Sequence, residues 1–407
     1  MLEPSLHGEL YSKLEEVDKL LLLCDKELAY LNGIEKFKNR LRSELKFLLE
    51  LKDKPETIQR KQLETSNTVH FSAVVCALQK YSNCVAVLKN FNRFAPSRQL
   101  NCKQKVCVDI VASDGAEWVK IIARNPRGVY QDWVGASGRN ARTLDEQAKD
   151  FVEAAANNQY FFRPPTVIFD FALGVPDQLA DELRSIGVQV KGDEVPVATL
   201  GAPVYSSSSE NDSSSDESDT ETTTSLSDPC LSASAKFDCN TINLDVTALL
   251  VYCSELTNGG ANFKFDQSCL NEQAQLERKT PALARIKECI EGKKLICCQT
   301  AYDSFKSIVY TVGGANERQR ANQLLDEVSV VADKTTERAE FLTESDSISR
   351  RAKIIFGSGD FYQAITLTAN RRFVQSALQQ GVQFAVALHE SRVLTEQKQV
   401  NAAPDHN

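Results

Sequence analysis

Apolar residues recur at Leu10, Leu14, Val17, Leu20 and Leu21, then at Leu28, Leu31, Ile34, Phe37, Leu41 and Leu45, the spacing of one buried face of a helix. Asn32-Gly33 interrupts the pattern and predicts a helical hairpin over about 5–55. A second helical run is predicted over about 67–92, opened by Asn67 or Thr68 and carried by Val74, Val75, Leu78, Val85 and Leu88. From residue 105 the period shortens to two. In KVCVDIVASDGAEWVKIIARN two alternating runs flank Asp114-Gly115, the signature of a hairpin. A helix at about 143–156, the strand TVIFDFAL, a helix capped near Pro176 and Asp177 and the short strand GVQVKG then predict an α/β unit. Residues 1–100 read as a helical region and 101–200 as the α/β part of the same N-terminal domain.

The pattern stops at about 203–233, a serine-rich stretch with Glu210, Asp212, Asp216, Glu217, Asp219 and Glu221 and no basic residue beside them. So little apolar surface predicts a disordered acidic linker, and its serines are candidate phosphate acceptors. Periodicity resumes in KFDCNTINLDVTALLVYCSEL, a strand that turns directly into a helix. Helices at about 270–291, 299–311, 316–327 and 336–345 alternate with short apolar runs at 294–298, 353–356 and 364–368, and a helix at 371–380 leads to the strand VQFAVALH. This predicts a second α/β domain with a mainly parallel sheet over 235–400, followed by a flexible tail at 401–407.

Composition narrows the class. With 407 residues, 42% hydrophobic and 25% charged, the chain is long enough for two globular domains. No apolar run approaches the roughly 18 residues of a membrane span. The start, MLEPSLHGELYSKLEE, is acidic where a secretory signal would be basic, so the expected location is cytoplasmic or nuclear, without membrane or secretion. Twelve cysteines then read as reduced, small buried hydrophobes. The pairs Cys102/Cys107 and Cys297/Cys298 lack zinc-ligand spacing, and His7, His70, His389 and His406 do not cluster with them. The net charge of -8 is concentrated in the linker, which leaves room for a basic face elsewhere.

Candidate chemistry collects at the strand ends of the second domain, because ligands of open parallel sheets bind outside the carboxyl ends of the strands. Asp245 follows the strand INL, with Thr247 placed to cap the next helix. Asp360 follows IFGSG, read as an apolar run and a glycine-rich loop, and Asn370 ends a third run. Oxygen ligands of this kind suit magnesium or manganese. Arg371 and Arg372 directly after Asn370 suit phosphates, and Gly259-Gly260 and Gly313-Gly314 would let backbone approach a ligand. In the first domain VDIVASDGAEWVK sets acids and a lysine on a hairpin, but Glu117 and Lys120 are three apart and face opposite sides of a strand. Trp118 and Trp133 read as core or interface aromatics, and VGASGRN is too short to be a phosphate loop.

The stretches NLDVTALLVYCSEL, LICCQTAYDSFKSIVYTVGG and IFGSGDFYQAITLTANRRFVQSALQQGV resemble the C-terminal, PIN-like domain of unknown function of an uncharacterised eukaryotic protein family. That resemblance covers about 235–400, and residues 1–197 resemble the family's companion domain. It implies a parallel sheet between helices, with acids at the carboxyl edge binding metal to cut RNA. On it, Asp245 matches the first-strand aspartate, Asp360 the acid that opens a later helix, and Asn370 a position usually held by aspartate. The acid of the helix after KLICC falls near Ser304; Asp303 is adjacent, but one residue turns a helical side chain by about 100°. Holding two catalytic cations takes more negative charge than two aspartates and an amide. The incomplete set predicts an RNA-binding or protein-interaction adaptor, with a protein partner on the N-terminal helices; a metal-dependent RNA nuclease is the alternative.

Overall fold

The computed structural model describes residues 6–53, 58–93, 105–136, 142–202, 239–399 and 403–404. The acidic linker, Cys102, His406 and most of VGASGRN lie outside the described residues. The chain divides into two compact units.

In the N-terminal unit the predicted hairpin is α1 (Leu6–Lys26) and α2 (Ile34–Lys52). Gly33 joins them at φ 81°, where a Cβ would also stand 2.1 Å from the Val87 carbonyl oxygen, so only glycine fits. A short α3 (Arg60–Glu64) precedes α4 (Thr68–Lys80). The helical run predicted to 92 stops at Lys80, and Ala86–Asn92 is instead strand β1. Asn83, at φ 49°, turns the chain, and pairing with β2 (Lys105–Ala112) overrides the helical spacing of Val85 and Leu88.

The Asp114-Gly115 hairpin forms as predicted between β2 and β3 (Glu117–Ile122), followed by an unforeseen α5 (Pro126–Trp133). Pro126 sits at the first helical position and Asn125 accepts the Gly128 N–H at 2.7 Å, a local start signal. Next come α6 (Leu144–Asn157), opened by a Thr143/Glu146 capping box, β4 (Thr166–Phe171), α7 (Asp177–Ile186) and β5 (Gln189–Lys191). The sheet runs β1-β2-β3-β4-β5, antiparallel over the first three strands and parallel thereafter.

Helices α1 to α4 bury Leu14, Phe37, Leu41 and Val74 against Ile110 and Val119, while α6 and α7 pack Phe151 and Leu179 with Trp118 and Phe169. The apolar stripes of α1 and α2 are thus taken up by the unit's own core. Trp118 is stacked on Phe91 at 4.0 Å, and the half-buried Trp133 donates its indole N–H to Glu182 at 2.9 Å. Lys120 pairs with buried Asp109 across the hairpin at 3.5 Å.

The C-terminal unit opens with β6 (Thr241–Leu244) and α8 (Val246–Cys253). The single helix predicted over 270–291 is split at Pro281 into α9 (Ser268–Lys279) and α10 (Ala282–Ile290), because proline lacks the N–H and clashes with the preceding turn. Strand β7 (Lys294–Cys298), α11 (Gln299–Val312) and α12 (Ala315–Glu327) follow, then an unforeseen β8 (Ser329–Val331) and a short α13 (Glu337–Glu340) in place of a helix to 345. After α14 (Arg350–Phe361) come β9 (Ile365–Thr368), α15 (Arg371–Gln379) and β10 (Val386–Leu388). The sheet order is β8-β7-β6-β9-β10, parallel throughout. The tail predicted to be free from 401 carries Ala403–Pro404, which pairs with Phe263–Lys264.

The main departure is at IFGSGD, which is neither strand nor loop but the interior of α14. Its glycines serve close packing: a Cβ on Gly359 would stand 2.2 Å from Thr366 Oγ1, and one on Gly357 3.0 Å from Ala339 Cβ. The helix closes with Ala364 N–H donating to the Gly359 carbonyl at 2.8 Å and Gln363 N–H to that of Asp360 at 3.2 Å, with Gln363 at φ 51°. Parallel strands need crossovers, and α15 carries the chain from the end of β9 back to the start of β10, while the last turns of α14 meet the segment just past β8, with Lys334 N–H donating to Ser358 at 3.2 Å and the Tyr362 hydroxyl to the Ala332 carbonyl at 3.1 Å. Among the described residues no helix is long and apolar enough to cross a membrane.

Candidate functional site

Asp245 stands where predicted, just past the carboxyl end of β6, and it rather than Thr247 is the N-cap of α8. Its Oδ1 accepts the Val246 N–H at 2.7 Å, and its Oδ2 accepts the hydroxyls of Thr247 at 2.8 Å and Thr368 at 2.6 Å. Thr247 in turn accepts the Ala369 N–H at 2.9 Å, and Thr368 accepts the Asn370 N–H at 3.0 Å. The buried carboxylate therefore ties the ends of β6 and β9 together, and two threonines relay its charge to the backbone that starts α15.

His389, at the end of β10, closes the cluster with its Nε2 3.5 Å from Thr247 Oγ1 and its Nδ1 3.0 Å from the Glu390 carbonyl oxygen. A carbonyl only accepts, so Nδ1 carries the proton. Burial pushes the His389 pKa below the ordinary histidine value, opposed by that hydrogen bond and by Asp245 and Glu390. The imidazole is held neutral.

The other predicted acids do not join Asp245. Asp360 lies in the last turn of α14 and faces Thr336 and Arg338, before and in α13, and among the described residues it shares no partner with Asp245. Its carboxylate is gripped by Arg338, with Nε on Oδ2 at 2.7 Å and Nη2 on Oδ1, and by the Thr336 hydroxyl at 2.6 Å. The expectation that Asp360 opens a helix is corrected: the first turn of α14 holds Arg350 and Arg351 and no acid, after Ser349, which caps Ala352 N–H. Asp303 is exposed on α11 and accepts from Gln299 at 2.9 Å, while the start of α11 is capped by Asp333 through Thr300 N–H at 2.9 Å. Asn370 is adjacent to Asp245 through Thr368, but its side-chain oxygen caps α15 by accepting Phe373 N–H at 3.1 Å.

These residues do not fit a magnesium or manganese centre. A hard cation needs several free oxygen ligands, whereas Asp245 already takes three donors, Asn370 is spent as a cap and Asp360 is ion-paired elsewhere. Among the described residues no group of three or more His, Cys, Asp or Glu side chains is gathered to hold a metal. The glycine pairs admit the chain's own C-terminal segment: a Cβ on Gly314 would stand 2.4 Å from the Glu396 carboxylate, which accepts Asn316 N–H at 3.0 Å and Glu317 N–H at 2.8 Å.

What the starts of α14 and α15 do present is positive charge. Arg371 and Arg372 open α15, Arg350 and Arg351 open α14, and all four are exposed. Only Arg371 has an ion-pair partner among the described residues, the half-exposed Glu390 at 3.2 Å. A pair so open to water adds little stability. Sequence reasoning found the second arginine pair but missed the first, although both follow a capping residue: Ser349-Arg350-Arg351 and Asn370-Arg371-Arg372. It also missed His389, whose neighbour Thr247 is far away in the sequence.

A family of unknown function, DUF5614, matches residues 4–224, more than half of the chain, and the chain belongs to that family. A second profile, that of a protein of unknown function, DUF1308, matches residues 242–403, nearly the whole C-terminal unit. No solved structure matches the chain.

Proposed function

We propose that the C-terminal unit is a PIN-like, non-catalytic RNA-binding module that receives phosphates on the arginines opening α14 and α15, Arg350, Arg351, Arg371 and Arg372. One observation carries this reading: α15 starts directly past the end of β9, beside Asp245, with an exposed arginine pair in its first turn, and α14 starts with a second exposed pair. The positive end of a helix dipole disfavours cations there by roughly 0.3–1 kcal/mol each. These arginines therefore do not serve helix stability, and an arriving anion offsets the repulsion. Guanidinium groups match phosphate oxygens in geometry as well as charge. Asp245, Thr247 and Thr368, with His389 beside them, brace the start of α15 beneath Arg371 and Arg372. The adaptor role extends to the N-terminal unit, where Tyr11, Leu22 and Tyr30 stay exposed on or just after α1 and offer contacts for a protein partner.

The competing reading, a metal-dependent RNA nuclease, rests on the place of Asp245 at a strand end. Incubating the full chain with labelled single-stranded RNA, with and without magnesium or manganese, separates the two. The proposal expects binding that is indifferent to the metal, no cleavage, and weaker binding in R371Q/R372Q and R350Q/R351Q. Metal-dependent cleavage abolished in D245N would replace it with the nuclease.

A further inference from the structure

We infer that the outer flank of α11 is a base-stacking platform for single-stranded RNA, an inference that rests on the nucleic-acid reading of the arginine edge. Ala301, Phe305 and Val309 form the buried stripe of this helix. Beside it, one position further round, run Tyr302, Lys306 and Tyr310, each four residues from the next, so their side chains line up along one flank. Tyr302 and Lys306 are half-buried, and Tyr310 is 47% exposed, high for an aromatic side chain.

Lys306 stands between the two rings, its Nζ 5.1 Å from the Tyr302 centroid and 5.9 Å from that of Tyr310. It donates to the Tyr302 hydroxyl at 3.2 Å. That hydrogen bond raises the Lys306 pKa, so the cation is retained. The Tyr310 hydroxyl is fixed on Asn322 at 3.0 Å, and the Arg318 guanidinium lies 5.8 Å from the same ring. The rings are thus oriented in advance and surrounded by cations, which is the chemistry that recognises a single strand: aromatic faces for bases, ammonium and guanidinium groups for the phosphates between them.

The position fits the arginine edge. Helix α11 follows β7 directly, and β7 lies two strands from β9, about 10 Å across the sheet. A strand held by Arg371 and Arg372 at the end of β9 passes over the end of β6 and reaches Tyr302 first, with Tyr310 about 12 Å further along the helix. In a duplex the bases are stacked on one another and unavailable to the tyrosines, so the platform selects single-stranded RNA.

The test is fluorescence anisotropy on the full chain with three labelled probes of equal phosphate number: oligouridylate, an abasic strand and an RNA duplex. The variants are Y302L/Y310L, Y302F/Y310F and R371Q/R372Q, each checked for folding by circular dichroism. Removing both rings is expected to weaken oligouridylate binding by roughly tenfold or more while leaving its salt dependence unchanged. The phenylalanine variant keeps wild-type binding, and the abasic strand binds weakly to every form. Leucine variants that bind oligouridylate like wild type, or an abasic strand or duplex bound as tightly as oligouridylate, overturn the platform. If R371Q/R372Q alone loses affinity, the platform fails and the arginine edge stands; if wild type binds none of the probes, both fail.

Discussion

Replacing Asp245 by alanine distinguishes a carboxylate that holds the edge together from one kept for chemistry. The alanine leaves the Val246 N–H without its cap and the Thr247 and Thr368 hydroxyls without their acceptor. Losing a cap costs about 1 kcal/mol, and hydrogen bonds to a charged group contribute about 1.5–3 kcal/mol each. The three bonds share one group and their losses do not add, and water partly replaces them at the edge, so the expected loss is about 3–4 kcal/mol. For a unit of this size that lowers the melting temperature by roughly 10 °C. The assay is a thermal melt of the full chain by far-ultraviolet circular dichroism. Tryptophan fluorescence reports separately on the N-terminal unit, which holds both Trp118 and Trp133, and serves as the internal control. D245N, which retains one acceptor oxygen, is expected to fall between. A C-terminal transition that stays in place or rises in D245A would refute the reasoning, since relief of strain on removal is the behaviour of an acid kept for function at the expense of stability.

His389 makes the C-terminal unit sensitive to acid. Its folded-state pKa is depressed, so the unfolded chain takes up the proton first; its contribution to stability is present above the ordinary histidine value of about 6.5 and is lost as pH falls below it. Melting temperatures of wild type and H389Q between neutral and mildly acidic pH should show a steeper loss in wild type, and parallel curves would contradict this. Gly359→Ala should destabilise the same unit by about 1–3 kcal/mol, because the added methyl meets Thr366 Oγ1 and Asn243 Nδ2 on a helix that cannot retreat from its sheet. Urea unfolding by circular dichroism checks it, and an unchanged midpoint would show that α14 is free to shift.

Much of the C-terminal sheet was legible because its strands are short and carry apolar residues, and β6 and β9 are followed closely by caps. Ile242 and Leu244 pointed to a buried strand, and Asp245 after them marked the carboxyl edge. The stretch from Ile355 to Asp360 was not legible in the same way: Gly-Ser-Gly has poor helix propensity, and what holds it helical is close approach to Thr366 and Asn243, a tertiary fact. That one error moved Asp360 from the rim of a site to the far end of a helix, where its partner Arg338 comes from α13. In the N-terminal unit Val85 and Leu88 kept the helical period by chance, and pairing with β2 decided the matter. The threonines around Asp245 and the imidazole of His389 are joined across the fold by contacts that no local pattern encodes. The doubled motif of a capping residue before two arginines was written in the sequence throughout, and its second copy stood out only once the structure placed each at a helix start.

The most direct test of the central claim is the salt dependence of single-stranded RNA binding by the full chain, wild type against R350Q/R351Q/R371Q/R372Q. Each phosphate contact on a single strand contributes about 0.7 to the slope of log affinity against log salt, so removing four should flatten it by up to about 2.8. A slope reduced by more than about 1.4, with the variant fully folded, bears out the arginines of the two helix starts as the phosphate-binding groups. Equal slopes and equal affinities in the two proteins would contradict it.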